Sequence, residues 1–165
     1  MTRRLILVRH AKSGWDNTYA DDHARTLADS GKTDALALGK WLADSEMIPD
    51  LIVTSDAMRA LQTAQLIKKA LGTAPPVQEI AALYHAAPDT ICKHAKAAQG
   101  NTIVLVGHNP GIAMAADLLA TTQPKNRRFA DYPTCATTVL DFTDEAFCNH
   151  GQGKIAAFIT PDALS

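Results

Sequence analysis

The chain is poor in the features that usually declare a function. Its three cysteines, Cys92, Cys135 and Cys148, are an odd number with no C-x-x-C spacing, so neither a disulfide framework nor a zinc knuckle is indicated. A reducing cytoplasm is the expected home. No stretch approaches the roughly 18 apolar residues of a membrane span. The first apolar run lasts only from Leu5 to Val8 before it meets Arg9, whereas a secretory signal needs roughly 7–15 apolar residues. Neither a leader nor a membrane partner is expected. An excess of one charge is also missing: the formal net charge is −1 and the pI is near 6.6. No overall field gathers nucleic acid or an anionic membrane, so any anion site must be local.

Several motifs are absent too. "GKT" at 31–33 ends like a phosphate loop, but the first glycine of G-x-x-x-x-G-K-[ST] falls on Thr26, and no strand precedes it. No cysteine has an arginine six positions later, which excludes the Cys-x5-Arg phosphatase pattern, and neither D-x-D-x-T nor H-E-x-x-H occurs. "DDH" (21–23) reads as plain polar surface. No metal and no cofactor are expected. There is no internal repeat or low-complexity tract.

What the chain does have is the composition of an ordered domain. Its 165 residues are 47% hydrophobic and 20% charged, enough for one sizeable core, and a single domain over 1–165 is expected, as a monomer. Strand-like runs stand at 4–9, 50–55, 101–107, 136–142 and 154–160, with a weaker one at 76–80. Helical spacing between them places Leu38, Trp41 and Leu42 on one face, and Leu61, Ala64 and Leu71 on another. Alternating strands and helices predict an α/β fold, a three-layer α/β/α sandwich around a mostly parallel sheet. The last two runs have no helix between them and should pair antiparallel, making the sheet mixed. The stretch 121–134 shows no periodicity and carries Lys125, Arg127 and Arg128, a solvated basic loop or a dock for an acidic partner.

Ligands of open α/β sheets bind at the carboxyl ends of the parallel strands. Three such ends carry suggestive residues. The first delivers Arg9 and His10. The second delivers "TSDAMR", where Thr54 or Ser55 suits a helix cap and Arg59 falls in the first turns. The run "NTIVLVG" delivers His108, then Asn109 and Pro110, suited to N-cap and N1. Arginine forks match phosphate oxygens bidentately, and a helix start adds backbone N–H groups. A tetrahedral dianion would satisfy them all. Small Ala11 is expected to let the backbone pass close to it.

These residues resemble the histidine phosphatase superfamily, with its phosphoglycerate-mutase-like fold. The signature R-H-G stands here as Arg9-His10-Ala11. The blocks "VRHAKSGW", "ARTLADSGK", "SDAMRALQTA", "LY" (83–84), "VGHNPG" and "YPTCATTVLDF" are similar to the branch of SixA-type phosphohistidine phosphatases. The resemblance implies that His10 is the nucleophile and that Arg9, Arg59 and His108 hold the phosphoryl oxygens. It also implies that Arg25 helps bind substrate, although its segment reads Arg25-Thr26-Leu27-Ala28 in place of the family's R-P-L-T. Asn17 is a candidate donor to the pocket or a turn former beside Asp16; Lys12 has two readings in the same way. Asn109 completes the set of candidate phosphate-binding residues.

Phosphomonoesterases of this superfamily generally protonate the departing alkoxide with a carboxylic acid. Here that region reads "AALYHAAPDT", with Glu79, His85 and Asp89 as weak substitutes. Phosphohistidine loses its P–N bond without such an acid once the other ring nitrogen is protonated. The expected substrate is therefore phosphohistidine on a protein, such as a phosphotransfer domain of a signalling relay. The alternatives are a small phosphate ester, and a module that binds phosphoprotein without turnover.

Overall fold

The computed structural model describes residues 1–14 and 21–164. Its centre is a strand, Thr2–Arg9 (β1), whose residues Leu5 to Val8 are wholly buried. A near-continuous apolar run is what a strand covered on both faces requires. Five more strands follow in chain order: Leu51–Thr54 (β2), Val77–Glu79 (β3), Thr102–Gly107 (β4), Thr137–Thr143 (β5) and Lys154–Ile159 (β6). They form one sheet in the order β3-β2-β4-β1-β5-β6, parallel from β3 to β1 and antiparallel from β1 to β6. The mixed sheet is as expected from the sequence.

Helices cover both faces. Asp29–Asp44 (α1) and Met58–Leu71 (α2) pack Ala35, Leu38, Leu42, Ala64 and Ile67 against Ile6, Val8, Val104 and Val106. Pro88–Ala97 (α3) and Gly111–Leu119 (α4) pack Ile91, Ala95, Ile112 and Ala115 against Leu5, Leu7, Ile103 and Leu105. Alternate residues of β1 and β4 thus feed opposite layers, the period-2 rule of a strand. The expected three-layer sandwich is found. Leu61 departs from its predicted role, being half-buried beside a stripe of Ala60, Ala64, Ile67 and Leu71. Small Ala60 takes the inward position, which turns its neighbour about 100° away.

The aperiodic stretch 121–134 contains one short helix, Arg128–Asp131 (α5), four residues being too few to show a period. Lys125, Arg127 and Arg128 are exposed, and Arg128 lies 3.6 Å from Asp162. Among the described residues no helix is long and apolar enough to cross a membrane.

Candidate active site

Register brings the three strand ends level. Arg9 pairs with Gly107 and Thr54 with Val106. The ladder then runs one step further, the His10 N–H donating to the Gly107 carbonyl (3.0 Å) and the Ser55 N–H to that of Val106 (3.1 Å). His10, Ser55 and His108 therefore leave the sheet side by side. His10 and His108 open on a cleft of about 450 Å³ that is also lined by Arg9, Lys12, Arg25, Arg59 and Asn109. Six predicted residues share this one place. Asn17 lies outside the described residues.

The His10 ring is set by its neighbour. Nδ1 lies 2.7 Å from the Ala11 carbonyl oxygen, which can only accept, so the ring hydrogen sits on Nδ1 and Nε2 keeps its lone pair. Burial pushes the pKa of this ring down from 6.5 to about 4; the Ala11 carbonyl opposes that, and Arg59, Arg9 and Arg25 add to it. His10 is neutral at pH 7. The ring of His108 stands 5.2 Å away, centroid to centroid, its own pKa lowered to about 3 by burial, then by His10, Arg59 and His85, against the opposing carboxylate of Asp22. Its Nε2 is 2.8 Å from Ser55 Oγ, which already accepts from the Ala57 N–H. With the serine hydroxyl donating to Nε2, the hydrogen of His108 is on Nδ1, a buried atom without a partner among the described residues. Arg9 Nε is buried without a partner in the same sense.

Depressed histidines tie pH to stability. An unfolded His10 takes up a proton near its ordinary value of 6.5, the folded one only near 4. The unfolded chain binds more protons between these values, so stability is highest above pH 6.5 and falls as the pH drops towards 4. Burial this complete makes the loss from His10 alone about 3 kcal/mol. Urea midpoints at pH 7.5 and 4.5, with an NMR titration of the His10 ring, check this. A His10 midpoint near 6.5 would contradict the burial account.

Arg9 is held by a carbonyl. Its Nη1 donates to the Tyr132 oxygen (3.1 Å), and Asn109 Nδ2 donates to the same atom (2.9 Å). Tyr132 is wholly buried at a positive φ of 44°, with its hydroxyl on the Leu7 carbonyl and Thr138 Oγ1. This explains the "YPT" block: the tyrosine ties the end of the basic stretch to β1 and aims one carbonyl at two site residues. It also corrects the reading of Asn109 as an N-cap. Its amide is spent on Tyr132, the residue in the cap position is Pro110, and α4 begins at Gly111. The Ile112 N–H already donates to the His108 carbonyl.

Ala11 follows His10 directly. It is buried, its N–H donates to Thr63 Oγ1 (3.0 Å) and its carbonyl serves His10. It orients the nucleophile candidate from below and leaves the cleft to others. Beyond it, Ser13 bridges Leu27, and the Gly14 N–H and Ala28 N–H donate to Thr26 and Lys12 carbonyls. That pairing carries Arg25 to the rim, where its guanidinium donates to Ser13 Oγ and to Asp22 Oδ1.

Asp22 was legible only as surface, and the structure moves it into the site. Its carboxylate receives the Tyr84 hydroxyl, Arg59 Nη2 (3.0 Å), Arg25 Nη1 (3.0 Å) and lies 3.3 Å from His85 Nε2. The Tyr84 hydrogen bond, followed by Arg59 and Arg25, holds its pKa well below the ordinary carboxylate range. Arg59 also donates to the Asp22 carbonyl (2.6 Å). Three guanidiniums and the Lys12 ammonium against one carboxylate leave an excess of positive charge beside two neutral imidazoles, suited to a phosphoryl dianion. Glu79 is exposed on β3 and does not line the cleft. Asp89 lines another one, with Lys93 and Lys96. Of the three substitutes for the missing acid, only His85 is here.

The comparisons agree with this geometry. The model of the histidine phosphatase superfamily (branch 1) matches residues 5–87, half of the chain. The uncharacterized protein ML1117 of Mycobacterium leprae is 33% identical over 143 residues, which cover 81% of this chain and 86% of that one. The chain belongs to the histidine phosphatase superfamily. A structure from Agrobacterium tumefaciens, put forward as the phosphohistidine phosphatase SixA, is 26% identical with a TM-score of 0.76, covering 96% of this chain and 98% of the other. The protein histidine phosphatase SixA complexed with tungstate shares the fold, with a TM-score of 0.79 at 18% identity, over 98% and 99% of the two chains. Within the superfamily this chain is of the SixA type.

Proposed function

We propose that the protein hydrolyses phosphohistidine on protein substrates in two steps through His10. In the first, Nε2 of His10 attacks phosphorus and the substrate imidazole leaves; in the second, water attacks the phosphoryl group now on His10. Arg9, Arg59 and the Nδ1–H of His108 hold the three outer oxygens, donors placed where charge gathers in the transition state. Arg25 binds from the rim.

The observation that carries the substrate class is the state of the cleft's carboxylate. Asp22 alone among the described residues brings a carboxyl group to the cleft, and its hydrogen bonds keep it ionised. It has no proton to give an alkoxide. A phosphohistidine takes its proton on the distal ring nitrogen, away from phosphorus, and then departs as neutral imidazole with no acid at the breaking bond. The likeness to the Agrobacterium protein supports the same reading.

A substrate panel tests it. The protein should cleave a phosphohistidine peptide at least about a hundredfold faster, in kcat/KM, than an unactivated alkyl phosphate, the factor a missing general acid typically costs. An aryl phosphate with a good leaving group should be cleaved as well. Equal rates on the alkyl phosphate and the peptide would overturn the assignment in favour of a small phosphate ester.

A further inference from the structure

His85 sits in the cleft without a role in the account so far. It follows Tyr84 in the loop before α3, at a positive φ of 54°. Its ring lies 4.1 Å from that of Tyr84 and 5.2 Å from that of His108. His10, His108 and His85 thus form a chain of three imidazoles, each about a ring's width from the next. The first two are buried, whereas the side chain of His85 is 52% exposed. It marks the mouth, where a leaving group departs. Its Nε2 faces Asp22 Oδ2 at 3.3 Å, so the carboxylate accepts from Nε2–H and Nδ1 is the ring atom left for a ligand.

The chemistry of the reaction asks for a group at this place. When phosphoryl passes between two imidazoles, each ring must carry a hydrogen on its far nitrogen to be released neutral. On the enzyme's side that hydrogen is built in, on His10 Nδ1 against the Ala11 carbonyl. On the substrate's side nothing described so far supplies it. A free imidazole near pH 7 carries this proton only part of the time, so a donor held beside the leaving ring speeds its release. Guanidiniums do not give theirs up, and the hydroxyl of Tyr84 is committed to Asp22.

We propose that His85, oriented by Asp22, gives the leaving imidazole its proton. The inference rests on the phosphohistidine reading above. In the first step His85, having taken up a proton at Nδ1, passes it to the distal nitrogen of the substrate ring. The P–N bond breaks, its electron pair stays on the departing imidazole, and the Nε2–P bond to His10 forms. In the second step water bonds to phosphorus, the electron pair of the breaking bond returns to His10 Nε2, and the proton lost by water goes to His85 Nδ1. The enzyme ends as it began. The titratable and charged groups around His85 are Asp22, Tyr84 and His108, with Arg59 and His23 on the Tyr84 ring.

The test compares wild type with His85→Asn and His85→Gln. Asparagine tolerates a positive φ, so the first variant keeps the loop and the second checks it. At pH 7 both should lose about a hundredfold in kcat/KM on a phosphohistidine peptide, the low end for a general acid. On an aryl phosphate whose leaving group needs no proton, both should stay within about twofold in kcat/KM, which the first step sets, while kcat falls because hydrolysis of the adduct has lost its base. The deficit on the peptide should shrink as the pH is lowered to 6, because the substrate ring then takes its proton from water. Equal losses on both substrates, no loss on the peptide, or a deficit that does not change with pH would overturn the role of His85 and leave the phosphohistidine reading standing. A wild type that forms the His10 adduct from the aryl phosphate and leaves the peptide intact would overturn that reading, and this role with it.

Discussion

His10→Ala should fold as the wild type does and lose turnover by roughly 10⁴-fold or more, the scale of removing a nucleophile that acts with its partners as a unit. Among the described residues two other imidazoles line the cleft, and that of His85 stands half-exposed at its mouth, where the leaving group departs. His108 is neutral too, but its Nε2 is occupied by Ser55 and its Nδ1 holds the hydrogen needed to bind oxygen. The variant should still bind tungstate, since Arg9, Arg59 and Arg25 remain, and it should form no acid-labile, alkali-stable phosphoryl adduct. Steady-state kinetics on an aryl phosphate, with quenched samples digested and weighed by mass spectrometry, gives both readouts. An adduct that persists in the variant would move the nucleophile elsewhere.

Gly111→Ala should be the most damaging single methyl group near the site. A Cβ at this position would lie 1.9 Å from the Ala86 carbonyl oxygen and 3.1 Å from its carbon. Backbone cannot rotate aside as a side-chain tip can, so α4 and the loop of Tyr84 and His85 must part. Overpacking of this kind costs about 3 kcal/mol, which for a chain of this size lowers the melting temperature by about 10 °C. The same separation pulls His85 and Tyr84 from His108, so activity should fall even at temperatures where the variant is folded. Calorimetry with parallel assays at 15 °C separates the two effects. An unchanged melting temperature would mean that this close approach does not exist.

The strand ends were the legible part of the site. Leu5 to Val8 announce a buried strand because it is covered on both faces, and two charged or titratable residues directly after it have nowhere to lie except its exposed end. The same holds for Gly107 and His108. Arg59 was readable because a helix start follows β2 directly. Asp22 and Arg25 were not placed by any local pattern. They reach the cleft because residues 12–14 pair with 26–28, a contact between two loop-like segments with no periodicity to betray it. Asn109 misled for a related reason: its type and its proline neighbour suit a cap, but the Tyr132 carbonyl, brought from 23 residues away, takes its amide. Local propensity lost there to a tertiary partner.

The most direct test of the account is a crystal structure of the protein with orthovanadate. The account predicts vanadium bonded to His10 Nε2, the outer oxygens against Arg9, Arg59 and His108 Nδ1, and the axial oxygen opposite His10 turned towards His85. Vanadate bound through another residue, or a His10 ring turned so that Nδ1 faces the anion and no longer meets the Ala11 carbonyl, would contradict it.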